Sequence, residues 1–173
     1  RLAVFDERIN ELAAGDRYRE RVQQLSCFIG IKTHTSLSLL VETGDFARFA
    51  KAHYFASYLG LNPSEQSSGE NIRRGGITKA GNAEMRRLLI EAAHSIGRGQ
   101  IGYKSKALKA RQRGNDSKVI AYADRANERL RRKFYRMIRQ GKRYNVAITA
   151  VARELACFIW GMMTGHFNVR KAS

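Results

Sequence analysis

Three observations predict an all-α protein. Apolar residues recur at spacings of three and four along most of the chain, beginning with Leu2, Phe5, Ile9 and Leu12. No run alternates apolar and polar residues between hairpin turns, as a half-buried strand requires. The periodic segments are parted by glycine-bearing breaks near 60–81, 97–100 and 141. At 173 residues with 43% hydrophobic content, the chain can enclose a core as one domain.

The first stripe, Leu2 to Leu12, reads as one helix, and residues 1–21 as the end of a coiled-coil or linker helix. The chain starts inside that helix without Met, which suggests a fragment whose N-terminal partner domain lies elsewhere. A domain over 22–165 comes next, with a tail at 166–173. A short helix carries Val22 and Leu25 inward. Residues 25–46 read as two short helices around a tight turn at Ile29-Gly30-Ile31. An apolar residue, Gly, an apolar residue and a polar helix start resemble a helix-hairpin-helix, which offers helix N-terminal N–H groups to phosphates. Gly30, Lys32 and Thr33 would make that contact, with Lys32 standing where a second glycine is usual. An ordinary packing hairpin fits the same residues. Asp45 is a good N-cap for the next helix, and Phe46, Phe49, Phe55, Tyr58 and Leu59 read as core.

Thr78 or Asn82 caps a helix running to about Ile96, with Met85, Leu88, Leu89, Ala92, Ala93 and Ile96 on its apolar face. Arg86 and Arg87 near its start oppose the helix dipole, a conflict that a nearby phosphate would remove. Basic helices span 103–140, one near 103–113 and a longer one from Ser117 to Gln140. The longer helix carries Ile120, Ala123, Ala126, Leu130, Phe134 and Ile138 on one side and Arg125, Arg129, Arg131, Arg132, Lys133, Arg136 and Arg139 on the others. Asn145 opens the last helix, 145–163, which is apolar most of the way round and should be the buried centre.

Charge narrows the partners. There are 32 Lys+Arg against 15 Asp+Glu, a net +17, and the stretch from Arg98 to Arg143 holds sixteen cations and three acids. A nearly single-signed helix repels itself unless something anionic lies along it, so nucleic acid is the expected partner. No uninterrupted apolar run approaches the length needed to span a bilayer, so no membrane partner is expected. Cys27 and Cys157 lie far apart in apolar surroundings and read as buried free thiols of a reducing cytoplasm. The four histidines show no metal-ligand spacing.

The remaining segment, 60–81, is the least helical. It holds Pro63, the only proline, and Gly60, Gly69, Gly75, Gly76 and Gly81. It reads as a long Gly/Ser-rich loop, and loops of that length are usually functional or disordered. Ser67 and Ser68 precede Gly69, with Arg73, Arg74 and Lys79 shortly after. A hydroxyl beside a pliable glycine, with guanidinium groups near, suits a nucleophile aimed at a phosphodiester. A solvated loop with serine as a turn residue fits the composition too.

GDFARF (44–49), YLGLNPSEQSSGE (58–70), GGITKAGNAEMRRLLIEAA (75–93) and GKRYNVAITAVARELACFIW (141–160) resemble the C-terminal domain of the IS-one-ten/IS-eleven-eleven insertion-sequence transposases. The Piv-type DNA invertases are relatives of that family. The resemblance covers about residues 22–163. It implies a site-specific DNA recombinase, some members of which are guided by a structured RNA from the element itself. It also implies an N-terminal RuvC-like domain, absent from this chain, whose DEDD carboxylates bind Mg²⁺, so that this fragment binds no cofactor and does not complete catalysis alone. The family's nucleophilic serine precedes the glycine of P-x-x-x-x-S-G, which places it at Ser68, with Ser67 the fallback because of the doublet. Arg73, Arg74 and Lys79 would neutralise the phosphate. Recombination implies a dimer or tetramer of the full-length protein, acting on DNA in the bacterial cytoplasm. A non-catalytic helix-hairpin-helix module that grips DNA or structured RNA by shape fits the composition equally. An oligomerisation unit built on residues 1–25 is a third reading.

Overall fold

The structure, a computed structural model, describes residues 2–68, 71–77 and 81–168, without the side chains of 64–68, 71–77 and 168. Among the described residues are eight α-helices: α1 (Leu2–Ala14), α2 (Arg19–Leu25), α3 (Thr33–Thr43), α4 (Ala52–Tyr58), α5 (Ala83–Gly97), α6 (Lys106–Gln112), α7 (Ser117–Arg139) and α8 (Tyr144–Met163). Short 3₁₀ turns occupy Phe46–Arg48 and His166–Asn168. The body is all-α, as the periodicity predicts.

α8 is the axis. Its residues Ala147, Ile148, Val151, Ala152, Leu155, Ala156, Ile159 and Met162 are buried, and α2, α4, α5 and α7 pack around it. By length and mean composition α8 is apolar enough to cross a bilayer, but Arg153 and Glu154 interrupt it, so no uninterrupted apolar run of that length is present in it. Here that surface is spent on the core: half of the apolar window is buried against neighbouring helices. The helix opens at Tyr144 rather than Asn145, with Arg143 at the cap and no side chain closing it.

α5 buries all six residues expected on its apolar face, and Asn82 Oδ1 caps it by accepting from the Met85 amide at 3.1 Å. Asp45 caps the 3₁₀ turn by accepting from Ala47 N at 2.9 Å. Around α4, Phe46, Phe49, Phe55 and Tyr58 form one aromatic cluster. Trp160 of α8 donates its indole N–H to the Phe49 carbonyl at 3.1 Å.

Two differences from the sequence reading bear on function. The segment expected to be a loop is an antiparallel ribbon, β1 (Pro63–Ser68) paired with β2 (Asn71–Ile77). Glu65 lies opposite Arg74, Gln66 opposite Arg73, Ser67 opposite Ile72 and Ser68 opposite Asn71. The register shifts by one between Pro63 and Glu65, so Gly75 and Gly76 together face Ser64. A bulge is a favourable place for glycine. Secondly, Arg131 does not lie on an outer face of α7. It is 8% exposed, and its guanidinium donates to the carbonyls of Ile96 (3.1 Å), Gln100 (2.9 Å) and Tyr103 (2.7 Å). Gly99 is needed beside it, since a Cβ there would fall on the guanidinium.

α1 rests on α2 and α3 through its C-terminal end, where Ala13 is buried. Leu2, Phe5 and Leu12 of its apolar stripe remain exposed.

Candidate nucleic-acid interface

Three parts of the molecule carry the sequence-predicted site residues. The first is the turn between α2 and α3. Gly30 has φ +78° and sits against α5 so closely that a Cβ would lie 2.7 Å from the Ala92 Cα. Only glycine allows both the left-handed backbone and that approach. The polar groups of the turn are held from behind. Asn127 Oδ1 accepts from Ile29 N at 3.0 Å, and Asn127 Nδ2 donates to Cys27 O at 3.2 Å. Gln112 Nε2 also donates to Cys27 O (3.1 Å), and Arg111 Nε to Ser26 O (3.1 Å). Lys32, exposed, occupies the N-cap of α3, and Thr33 is the first helical residue. Among the described residues no side chain caps that end. The turn therefore places a lysine beside an uncapped helix start, where the backbone N–H groups and the dipole favour an anion.

The same anchoring buries Cys27. Burial first, and the Asp124 carboxylate second, push its thiol up to about 11, while Arg111 and Lys104 pull the other way. Cys27 is therefore a protonated packing residue at neutral pH. Both cysteines are free thiols.

The second part is the outer face of α7. Lys118, Arg125, Arg129, Arg132, Arg136 and Arg139 are exposed. At 100° per residue all six fall within about 40° of one line along the helix. The stripe runs about 30 Å from Lys118 to Arg139. Its members are not equivalent. Arg129 pairs with Glu154 of α8, and Arg132 donates to Glu128 at 2.7 Å. Glu154 also takes Lys133 at 2.7 Å. Burial pushes the Glu154 carboxyl up, but the hydrogen bonds from Arg129 and Lys133 outweigh it and hold it below its usual range. Among the described residues, no ion pair or side-chain hydrogen bond engages Arg125 or Arg136.

The third part is the ribbon and the start of α5. Ser68 closes β1 with Asn71 as its partner, and Arg73 and Arg74 lie on β2. Lys79 lies outside the described residues, as do the side chains of Ser67, Ser68, Arg73 and Arg74. The dipole conflict expected at Arg86 and Arg87 is met within the protein. Arg87 is exposed, paired with both Glu84 and Glu91, and its hydrogen bond to Glu84 raises its pKa further. Arg86 is half-buried and donates to the Leu59 carbonyl at 3.2 Å. Gly30 thus brings the α2–α3 turn onto the middle of α5, and Arg86 joins the start of α5 to the end of α4.

Sequence reasoning missed the residues that fix these parts: Arg131, Gln112 and Asn127. A signal existed for two of them. Asn127 and Arg131 are polar residues spaced i, i+4 and then i+7 with Phe134, on the edge of the buried stripe of α7.

The family profile of the IS116/IS110/IS902 transposases matches residues 22–109. The chain belongs to that family. It is 36% identical over 133 residues to the y4qE protein of Sinorhizobium fredii, covering 77% of this chain and 34% of that protein. It is 33% identical over 140 residues to the transposase for insertion sequence element IS1533 of Leptospira borgpetersenii (77% and 38%). With the transposase for insertion sequence element IS1111A of Coxiella burnetii it shares 30% identity over 126 residues (70% and 34%). The chain spans about a third of the length of these curated relatives.

Proposed function

We propose that this chain is the serine-bearing, C-terminal domain of a DNA transposase that cleaves and rejoins strands through a phosphoserine–DNA intermediate. Family membership carries this reading, together with Ser67 and Ser68 at the end of β1 and a strongly cationic chain. In the reaction, Ser68 Oγ bonds to phosphorus as the bond from phosphorus to one deoxyribose oxygen breaks. The serine proton is lost, and the freed oxygen leaves as a hydroxyl. The energy of the broken linkage is retained, so rejoining is the same displacement in reverse on another strand, without ATP. Arg73, Arg74 and Lys79 neutralise the phosphate. Gly30, Lys32 and Thr33 contact backbone phosphates at the α3 N-terminus, and the α7 stripe, with Arg125, Arg129, Arg132 and Arg136, lies along the duplex.

A serine hydroxyl needs a base or a metal to react. Among the described residues no three His, Cys, Asp or Glu side chains are grouped to hold a metal ion. The resemblance places the Mg²⁺ chemistry in the N-terminal domain and on no residue of this chain. Carboxylates of a RuvC-like domain in the full-length protein supply it, and the active form is a dimer or tetramer, with an element-encoded RNA as guide. Bacterial DNA in the cytoplasm is the substrate.

The test is Ser68→Ala in the full-length protein, with Ser67→Ala beside it. Ser68→Ala removes covalent protein–DNA adducts and leaves DNA affinity unchanged. Adducts that survive it but not Ser67→Ala move the nucleophile to Ser67, and adducts that survive both remove the serine from the mechanism. A binding module without chemistry forms no adduct in any variant.

A further inference from the structure

We propose that Arg86 is a positioning residue for strand cleavage, acting as the cross-tie of a clamp at the base of the serine-bearing ribbon. The inference rests on the reading of Ser68 as the nucleophile, and it reassigns Arg86 from phosphate contact.

Both legs of the ribbon are fastened to the helical body at one level. The outgoing leg leaves α4 through Leu59, Gly60 and Leu61, all buried. Gly60 N donates to Ser57 O at 2.9 Å and Leu61 N to Ala56 O at 3.1 Å, so the chain folds back on α4 before the ribbon starts. Asn62 continues the attachment by donating to Ser57 Oγ. The returning leg comes in at Gly81, with φ +89°, packed so tightly on Tyr58 that a Cβ would fall on the Tyr58 carbonyl oxygen. Asn82 then caps α5 through Met85 N (3.1 Å) and donates to Glu42 Oε2 of α3 (3.1 Å).

Arg86 spans the two legs. It lies one turn into α5, its own amide donating to Asn82 O of the returning leg at 3.1 Å. Its guanidinium donates to Leu59 O of the outgoing leg at 3.2 Å. The contact needs a long planar donor reaching from one helix to a buried carbonyl of another element, which arginine supplies.

The position matters because the ribbon is a lever. A two-stranded ribbon is marginally stable alone, so its direction is set where it is anchored. Five residues at about 3.3 Å each put Ser68 roughly 17 Å beyond Pro63. A tilt of about 5° at the base then moves the Ser68 backbone about 1.5 Å, and misplacement on that scale can cost roughly a hundredfold in rate.

The experiment uses the full-length protein and an end-labelled duplex made from the DNA flanking its reading frame. Adduct formation is followed at saturating duplex, affinity is measured across salt concentrations, and amide exchange is followed over residues 71–77. Arg86→Ala is expected to slow adduct formation at least tenfold at saturation. The apparent Kd should stay within about twofold and the salt slope unchanged, because no phosphate contact is lost. Exchange over 71–77 should quicken, and Arg86→Lys should recover part of the rate. A wild-type rate in Arg86→Ala overturns the proposal. A weakened Kd with the salt slope reduced by about one also overturns it, because that is the signature of a phosphate contact. If Arg86→Ala shows no cooperative melt, Arg86→Gln is judged by the same rate and affinity criteria. Exchange separates this inference from the reading it rests on. Unchanged exchange over 71–77 sinks the clamp even where Ser68→Ala abolishes adducts, whereas adducts that persist in both serine variants sink the nucleophile and with it the role of Arg86 in cleavage, the exchange result then bearing on the clamp alone.

Discussion

Replacing Arg125 and Arg136 together by glutamine should flatten the salt dependence of DNA binding without touching the fold. Both side chains are exposed on α7, 11 residues apart along the same line, and neither is engaged by an acid among the described residues. Arg129 and Arg132 on the same stripe are partnered by Glu154 and Glu128. A phosphate meeting those two must first displace a carboxylate, so the net gain there is smaller. Each phosphate contact contributes about 0.9 to the slope of log K against log salt, so losing two reduces it by about 1.8. Between 50 and 200 mM salt, that makes the fall in affinity about tenfold shallower. Fluorescence anisotropy with a duplex, repeated across that range, measures it. Arg87→Gln serves as the comparison, because Arg87 is held by Glu84 and Glu91 and should leave the slope as it is. A double variant with the wild-type slope, or an equal effect from Arg87→Gln, would refute the assignment of α7 as the duplex-facing helix.

The packing sets three further outcomes. Arg131→Met strips the carbonyls of buried Ile96 and of Gln100 and Tyr103 of their donor and should destabilise the fold by roughly 2 kcal/mol in urea unfolding; a loss under about 1 kcal/mol would contradict the role given to Arg131. Gly30→Ala combines a left-handed backbone with a Cβ 2.7 Å from the Ala92 Cα, and should cost about 2–5 kcal/mol, read as a drop in Tm of at least about 5 °C. Glu154 has a lowered pKa in the folded protein, so its contribution is present above the unfolded carboxylate value of about 4.3 and is lost as pH falls through the folded one. Glu154→Gln should therefore flatten the acid limb of stability against pH, and an unchanged limb would show the Arg129 and Lys133 pairs to be inert.

How much of the fold and site was legible depended on whether a segment buries a face. α5 and α8 could be read almost residue by residue, because burying Leu88, Leu89, Leu155 and Ile159 imposes the helical period on the sequence. The ribbon could not. It has only Ile72 and Ile77 as apolar members, pairs Glu65 with Arg74 and Gln66 with Arg73, and leaves no alternation to find. Its one local sign is Gly75-Gly76 at the bulge, which also fits a loop. Arg131 was hidden for the opposite reason. Amid so many arginines, residue type does not set it apart, and only its place between Asn127 and Phe134 on the edge of the buried stripe does. The family resemblance was legible because four motifs stand in order and at the family's spacing along the chain; two of them hold Gly60 and Gly81, whose backbone is left-handed.

The attachment of the α2–α3 turn has a mechanical corollary. Side chains from α6 and α7 grasp that turn through Ser26, Cys27 and Ile29, so it is bolted to the very helix that bears the arginine line. The two cationic features therefore keep a constant separation, established when the polypeptide folds and not when it meets a polymer. Under the proposed function the domain would act as a fixed-span caliper, with any adjustment needed to engage both features falling on the nucleic acid.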